Sequence, residues 1–372
     1  APRPGAPRRD ARRLRVGYVG ADALRRHTAS VSLLPLVEAH DRETIEPILY
    51  SDLEAGQEDG ISARYRATAP VVSTAGLSDE ALANRIRADG IDIAVDVVGY
   101  PRGSRLGALA HRPAPVQVNL LLMGSFGMEA VGWAIGDDLL TPPGAERHFA
   151  ERLARIDLAF VYRPLFATPE PAVPVDRGEI VFGSFNQPAK LSPRCIAVWS
   201  RLLARTPEAR LVLKGQAYAD AVVAGRLRAA FAAHGVGGRR LELRGWAARS
   251  QDHLGAYADI DIALDPFPYG GVITTCEAMW MGVPVVSLVG DRVLGRYGGA
   301  FLRAVDLGNL AVGDEEAYID VAMGLAADRA RLRDLRRTLR RRMADSRLCD
   351  GGAFARAVEG AYRRMWRDEA AA

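Results

Sequence analysis

Lysine is almost missing from this chain. Of 49 basic residues in 372, only Lys190 and Lys214 are lysines, and arginine fills every other place. Two lone ammonium groups read either as what codon usage left behind or as sites where a planar guanidinium would not serve. Cysteine is scarce as well. Cys195, Cys276 and Cys349 form an odd set without a Cys-x-x-Cys pair. That argues against a disulfide scaffold and a cysteine zinc site, and it suits a reducing compartment. No apolar run approaches the roughly 18 residues of a membrane span. The longest, residues 116–123 and 283–290, are short and bounded by Gly or Pro, as buried strands are. No apolar h-region follows the basic start, so no signal peptide is read and the cytoplasm is the expected location. Also lacking are a Walker loop, a Gly-x-Gly-x-x-Gly fingerprint, His-Glu-x-x-His and Gly-x-Ser-x-Gly.

What is present describes a globular protein. Hydrophobic residues make up 49% and charged residues 25%, which excludes disorder and collagen for the chain as a whole. The net charge is +4, but residues 1–15 hold six arginines against one acid and so carry +5, which leaves −1 for the rest. A near-neutral body does not advertise nucleic-acid binding. Nine arginines between Arg329 and Arg347 alternate with Leu332, Leu335 and Leu339 at helical spacing. They read as the solvated face of a helix, with an anionic partner as the other reading.

Strand-like and helix-like runs alternate from residue 14. Strands are expected at 14–19, 45–50, 91–98, 116–121 and 131–135, with a helix at 79–88. Between 163 and 178 the pattern stops at Pro164, Pro169, Pro171 and Pro174. Alternation restarts with strands at 180–185, 210–214, 240–243, 261–265 and 283–288. Helices are expected at 192–205, 219–234 and from 275, and a last one at 353–367. This is the pattern of βαβ units in parallel sheets. The expected organisation is a basic linker or tail (1–12), a first Rossmann-like domain (13–163), a linker (164–178), a second Rossmann-like domain (179–348) and a C-terminal helix (349–368). A cleft between two such domains is the expected ligand site, fed by residues that follow strands.

Three segments fit that place. Gly183 to Lys190 (GSFNQPAK) follows a strand and precedes a helix that can start at Ser192 or Pro193. Lys190 there is either a solvated lysine or the partner of a phosphate. In the second segment, DPFPYGGVITTCEAMWMG, a strand ends at Asp265 and a helix opens at Thr274 and Thr275. A helix start offers free N–H groups and a positive dipole end to an anion. Glu277 can accept from a ribose diol, or it can complete a capping box with Thr274 as N-cap. The third segment holds His27, between a strand end and a helix start, where it is either structural or the group that takes a proton from an acceptor hydroxyl. Asp96 and Tyr100 are rival cleft residues, and His253 is a further candidate. His40, His111, His148 and His234 have no comparable context. Asp259 and Asp261 spell Asp-x-Asp but fall where a strand begins, away from the ligand end.

Taken jointly, the strings RLRVGYV, ADGIDIAVDVVGY, HRPAPVQV, FGSFNQPAKLSP, DIALDPFPYGG, TTCEAMWMGVPVVSL and AYRRMW resemble the catalytic region of the O-GlcNAc transferase/SPINDLY family, over nearly all of residues 14–368. The resemblance implies a GT-B fold, in which two Rossmann-like domains face a central cleft and a C-terminal helix crosses back to the first. It implies inverting, metal-independent transfer of a sugar from a nucleotide diphosphate to a Ser or Thr hydroxyl of a protein. UDP-GlcNAc is the favoured donor and a GDP-sugar the alternative, with no metal or prosthetic group. Lys190 matches the lysine that stabilises the leaving diphosphate, and His27 the histidine discussed as base. Gln187, His253, Gly271, Thr274, Thr275 and Glu277 match donor-binding positions.

The sequence departs from the family in places. One extra residue separates Asp22 from His27, and Thr28 stands where the family has Pro. Leu122 to Gly127 replaces a Gly-Tyr-Pro-Gly-Thr-like loop. Ile273 replaces the first threonine of the phosphate turn, and Val293 the His of Asp-Arg-His. No tetratricopeptide repeat is present. These changes keep two other readings open, namely transfer to a small-molecule or glycan acceptor, and a nucleotide-sugar-binding protein without transfer.

Overall fold

The computed structural model describes residues 13–21, 23–101, 103–121, 123–172, 178–245 and 250–371. The basic tail 1–12, Asp22, Leu122 and linker residues 173–177 lie outside them. The chain divides into two compact units, one formed within 1–165 and 349–372, the other within 166–348.

Among the described residues the first unit is built on seven parallel strands: β1 (Leu14–Ala21), β2 (Ile45–Ser51), β3 (Val71–Ser73), β4 (Ile93–Asp96), β5 (Val116–Asn119), β6 (Trp133–Gly136) and β7 (Arg152–Arg155). Their order is β3-β2-β1-β4-β5-β6-β7. Strands β1, β4 and β5 are buried almost throughout, because helices cover both faces of a parallel sheet. Helices α1 (Ser30–Ala39), α2 (Gly60–Thr68), α3 (Asp79–Ala88) and α4 (Leu106–Ala110) form the connections. On one side Leu82 and Ile86 of α3 and Leu109 of α4 pack with Ile48, Tyr50 and Ala94. Sheet order reverses between β1 and β4, where Val19 lies beside Asp96.

The second unit has, among the described residues, six parallel strands: β8 (Val181–Ser184), β9 (Arg210–Lys214), β10 (Leu241–Arg244), β11 (Ile262–Leu264), β12 (Val285–Leu288) and β13 (Ala311–Val312), in the order β10-β9-β8-β11-β12-β13. Its helices are α5 (Pro193–Arg205), α6 (Ala221–Ala232), α7 (Ser250–Gly255), α8 (Ile273–Trp280), α9 (Tyr297–Ala304), α10 (Glu315–Ala327) and α11 (Arg329–Ala344). Ser192 caps α5 by accepting the Cys195 N–H (3.1 Å), with Pro193 at the first helical position. Order reverses here between β8 and β11.

Helix α11 corrects one expectation. Its leucines point inward, but two arginines are not solvated. Arg336 is buried and donates to the carbonyls of Tyr257 (3.1 Å), Met281 (3.2 Å) and Ile260. Arg340 donates to the carbonyls of Trp280 (2.7 Å) and Pro169 (2.6 Å), while Trp280 Nε1–H donates to Thr168 Oγ1 (2.9 Å). These bonds tie residues 168 and 169, within the expected linker, to the second unit.

Helix α12 (Gly351–Ala371) returns to the first unit. Phe354, Val358, Ala361, Tyr362, Met365 and Trp366 are buried at helical spacing, and the helix packs on α1. A buried polar cluster fixes its register. Glu359 Oε1 accepts from His40 Nδ1 (2.8 Å) and the Asp41 N–H (3.0 Å). The Tyr18 hydroxyl then donates to His40 Nε2 (2.6 Å). Burial holds the His40 pKa below its ordinary value, so the neutral ring serves this network.

Candidate functional site

Residues after β8 and β11 converge at the reversal point of the second sheet, where open α/β sheets place their ligands. The loop after β8 runs through Phe185, Asn186 and Gln187 into a 3₁₀ turn, Pro188–Lys190. The segment after β11 runs from Asp265 to α8. Ser192 links the two loops by donating to the Phe267 carbonyl (2.8 Å). Beneath them lies a cavity of about 10 Å³ whose lining includes Ser184, Phe185, Asn186, Asp265, Thr274 and Thr275.

Asp265 organises the second segment. Its carboxyl is buried and accepts from the Gly271 N–H (2.6 Å), Thr275 Oγ1 (3.2 Å) and Ser287 Oγ (2.8 Å). Burial raises its pKa, and those donors and the Lys190 charge oppose the rise. Gly271 has no room for a side chain. A Cβ there would lie 2.4 Å from Thr275 Oγ1, 2.6 Å from Thr274 Oγ1 and 2.8 Å from Asp265 Oδ1. The close approach brings the chain into α8, whose first intrahelical bond is Cys276 N–H to the Val272 carbonyl (3.2 Å). The amides of Ile273 to Thr275 therefore sit in the turn that has donors to spare.

Lys190 reaches the same turn from the other loop. Its Nζ donates to the Gly270 carbonyl (2.8 Å) and to Asn186 Oδ1 (3.3 Å), and it stands 4.1 Å from the centre of the Tyr269 ring. Thr274 Oγ1 donates to the same Asn186 oxygen at 2.9 Å. Burial lowers the Lys190 pKa from 10.5 to about 8, with Asp265 working against the fall. Gln187 is exposed at the start of the turn. The Lys190 ammonium, the side chains of Thr274 and Thr275 and the first turn of α8 thus share one neighbourhood, and of these the ammonium and the helix-start amides are the kind of group that attracts an anion.

The capping box expected at Thr274 is not formed. The N-cap is Val272, so Thr274 lies inside the helix and its hydroxyl is spent on Asn186. Glu277 is paired elsewhere. His253 Nε2 lies 3.1 Å from Glu277 Oε2, and His253 Nδ1 lies 2.6 Å from Lys214 Nζ. All three come from different elements: Lys214 ends β9, His253 is in α7 and Glu277 in α8. Asn186 and Asp265 are site residues that sequence reasoning does not single out, and Lys214 stands out there only as one of the two lone lysines. The signal for Asn186 and Asp265 was their place directly after a strand. For Lys214 it was the second lysine in an arginine-rich chain.

Asp259 and Asp261 have other work. Asp259 pairs with Arg244 (2.5 Å), and Asp261 accepts the Val181 N–H (2.8 Å).

In the first unit, His27 Nδ1 accepts the Ala29 N–H (3.1 Å). A neutral ring so held carries its proton on Nε2. Asp96, at the end of β4, is buried. Its Oδ2 accepts the N–H groups of Gly99 (2.6 Å) and Val98 (3.2 Å), while among the described residues Oδ1 has no hydrogen-bond partner. Burial raises its pKa to about 6. Tyr100 is exposed, meets Phe126 edge-on and donates to the Ser125 carbonyl.

The sequence matches the model of glycosyl transferase family 41 over residues 5–166 and 166–358. The chain belongs to glycosyl transferase family 41. Among its relatives is a tomato (Solanum lycopersicum) protein named probable UDP-N-acetylglucosamine–peptide N-acetylglucosaminyltransferase SPINDLY, 34% identical over 370 residues. That match covers 96% of this chain and 39% of the relative. The Arabidopsis thaliana SEC protein, with the same enzyme description, is 26% identical over 95% of this chain and 37% of its own length. This family 41 chain thus spans about two fifths of the curated relatives it matches. Among solved structures, a mutant of the Thermobaculum terrenum O-GlcNAc transferase superposes with a TM-score of 0.91 at 39% identity, covering all of this chain and 71% of the other. Anabaena HepE, solved with UDP and glucose, shares the GT-B fold alone: TM-score 0.59, 13% identity, coverage of 94% and 99%.

No helix among the described residues is long and apolar enough to cross a membrane.

Proposed function

We propose that this chain transfers a sugar, GlcNAc by preference, from a nucleotide diphosphate to a Ser or Thr hydroxyl of a protein, with inversion and without a metal. The observation that carries the reading is the convergence of Lys190 and Thr274 on Asn186 at the first turn of α8. The names of the SPINDLY and SEC relatives support the donor and acceptor classes.

In this reading the acceptor oxygen attacks the anomeric carbon, and the carbon–oxygen bond to the diphosphate breaks. Its electron pair goes to the phosphate oxygen. The Lys190 ammonium and the α8 amides neutralise the charge that grows there, a type of stabilisation worth several kcal/mol when donors are preorganised (roughly 2.7–4 kcal/mol for one donor). Glu277 accepts from the ribose diol. Gln187, His253, Gly271 and Thr275 complete the donor site. His27 serves the acceptor hydroxyl. With Ala29 holding Nδ1, it offers an Nε2–H, and to take the acceptor's proton it must first release Ala29.

The test is transfer by the purified chain from UDP-GlcNAc, with GDP-sugars alongside, onto a protein mixture read by peptide mass spectrometry. The expected result is an N-acetylhexosamine mass on Ser or Thr, unchanged by a chelator and lost in Lys190→Met. No transfer from any donor, or full transfer by that variant, would overturn the reading.

A further inference from the structure

Lys214 is 4% exposed, as deeply set as the apolar residues around it. An ammonium carries only donors, so His253 Nδ1, 2.6 Å away, is the acceptor. The ring's own proton is then on Nε2, directed at Glu277 Oε2 at 3.1 Å. A cation, a neutral ring and a carboxylate thus stand in line across β9, α7 and α8. Aromatic rings wall the line. Phe185 lies 5.3 Å from Lys214 Nζ and 6.1 Å from the His253 ring, and Tyr257 meets that ring edge-on at 6.0 Å. Glu277 is mostly buried, and among the described residues its Oε1 makes no hydrogen bond.

We propose that Lys214 is a positioning residue: acting through His253, it holds one oxygen of Glu277 and leaves the other as the acceptor for the paired ribose hydroxyls of a nucleoside diphosphate. This deepens the proposed function and rests on it. The physics is that of a relay. A carboxylate free to rotate loses entropy when it binds a diol, whereas one already pinned at Oε2 does not. The low dielectric of an aromatic wall strengthens each link. Removing the ammonium takes away the N–H that Lys214 donates to His253 Nδ1, and the ring can then turn or carry its proton on Nδ1, which loosens its hold on Glu277.

The experiment is calorimetric titration with UDP and GDP, with the 2′,3′-dideoxy analogue of whichever binds, and with inorganic pyrophosphate. It is run on the unmodified chain, Lys214→Met and Lys214→Arg, each checked for an intact melting transition. The unmodified chain should prefer the ribonucleotide by about tenfold, the usual worth of a charge-assisted hydrogen bond. In Lys214→Met the preference should fall below about threefold while pyrophosphate affinity changes less than about twofold. Lys214→Arg, which keeps a cation and an N–H, should retain most of the preference. If the methionine variant does not fold, Lys214→Leu, which likewise offers no N–H, is read in its place with the same expectations. An unchanged ribose preference in the folded methionine or leucine variant overturns the inference and leaves the nucleotide site standing. So does an arginine variant that folds but loses the preference as fully. Failure of the unmodified chain to bind either nucleotide removes the nucleotide reading itself, and the inference with it.

Discussion

Lys190 and Thr274 meet at a single atom: both donate to Oδ1 of Asn186, at 3.3 and 2.9 Å. Asn186 therefore sets the spacing between the ammonium and the first turn of α8. In Asn186→Leu both donors lose their common acceptor. The expected outcome is nucleoside diphosphate affinity weakened by about 1–2 kcal/mol, roughly five- to thirtyfold, measured by calorimetry. A variant that binds as tightly as the unmodified chain would show that the spacing is set elsewhere.

The Lys190 pKa predicts how binding depends on pH. Burial places it at about 8, below the ordinary 10.5. The free protein thus loses this charge as pH rises above about 8, whereas a bound diphosphate favours the charged form. Affinity should fall with rising pH above that point, approaching about tenfold per unit at its steepest. Lys190→Met should bind weakly and without this slope. A parallel slope in both proteins would assign it to another group.

Gly271→Ala tests the crowded turn. The new methyl would meet two threonine hydroxyls and the Asp265 carboxyl at 2.4–2.8 Å. Overpacking of this kind costs about 1–3 kcal/mol, and here it displaces the start of α8. Denaturant titration should show that loss, together with weakened diphosphate binding. Intact stability and binding would mean that the turn yields freely.

Asp96 should leave a mark on stability. Burial raises its pKa from 3.8 to about 6. The folded state thus favours the protonated acid. The stability this contributes is present at low pH and is lost as pH rises from about 4 to about 6, by at most about 3 kcal/mol. Asp96→Asn should remove this component, so that the difference between variant and unmodified chain grows in the variant's favour across that window. Urea titrations at pH 4.5 and 7 measure it, and an identical slope in both proteins would refute it.

The long elements were legible because their patterns are strong. Helix α3 spans the expected residues 79–88, and β9 the expected 210–214. Strands β3, β7 and β13 were not, since two to four residues, all but Ala154 at least partly accessible, carry no periodic signal. At the site, Lys190, Thr274 and Glu277 stood out as polar residues beside strand ends. Thr274 as a helix cap failed because α8 begins at Ile273 with Val272 as N-cap, which leaves Thr274 inside the helix with its hydroxyl donating to Asn186. Arg336 read as a surface charge because its three carbonyl partners come from segments far along the chain, which helical spacing cannot reveal.

The return of α12 has a consequence for how the protein is made. Helix α1 is buried almost throughout, and α12, from the far end of the chain, packs on it. During synthesis that apolar surface stays uncovered until α12 leaves the ribosome. A fragment cut after residue 165 should be poorly soluble, and adding residues 349–372 as a separate peptide should rescue it.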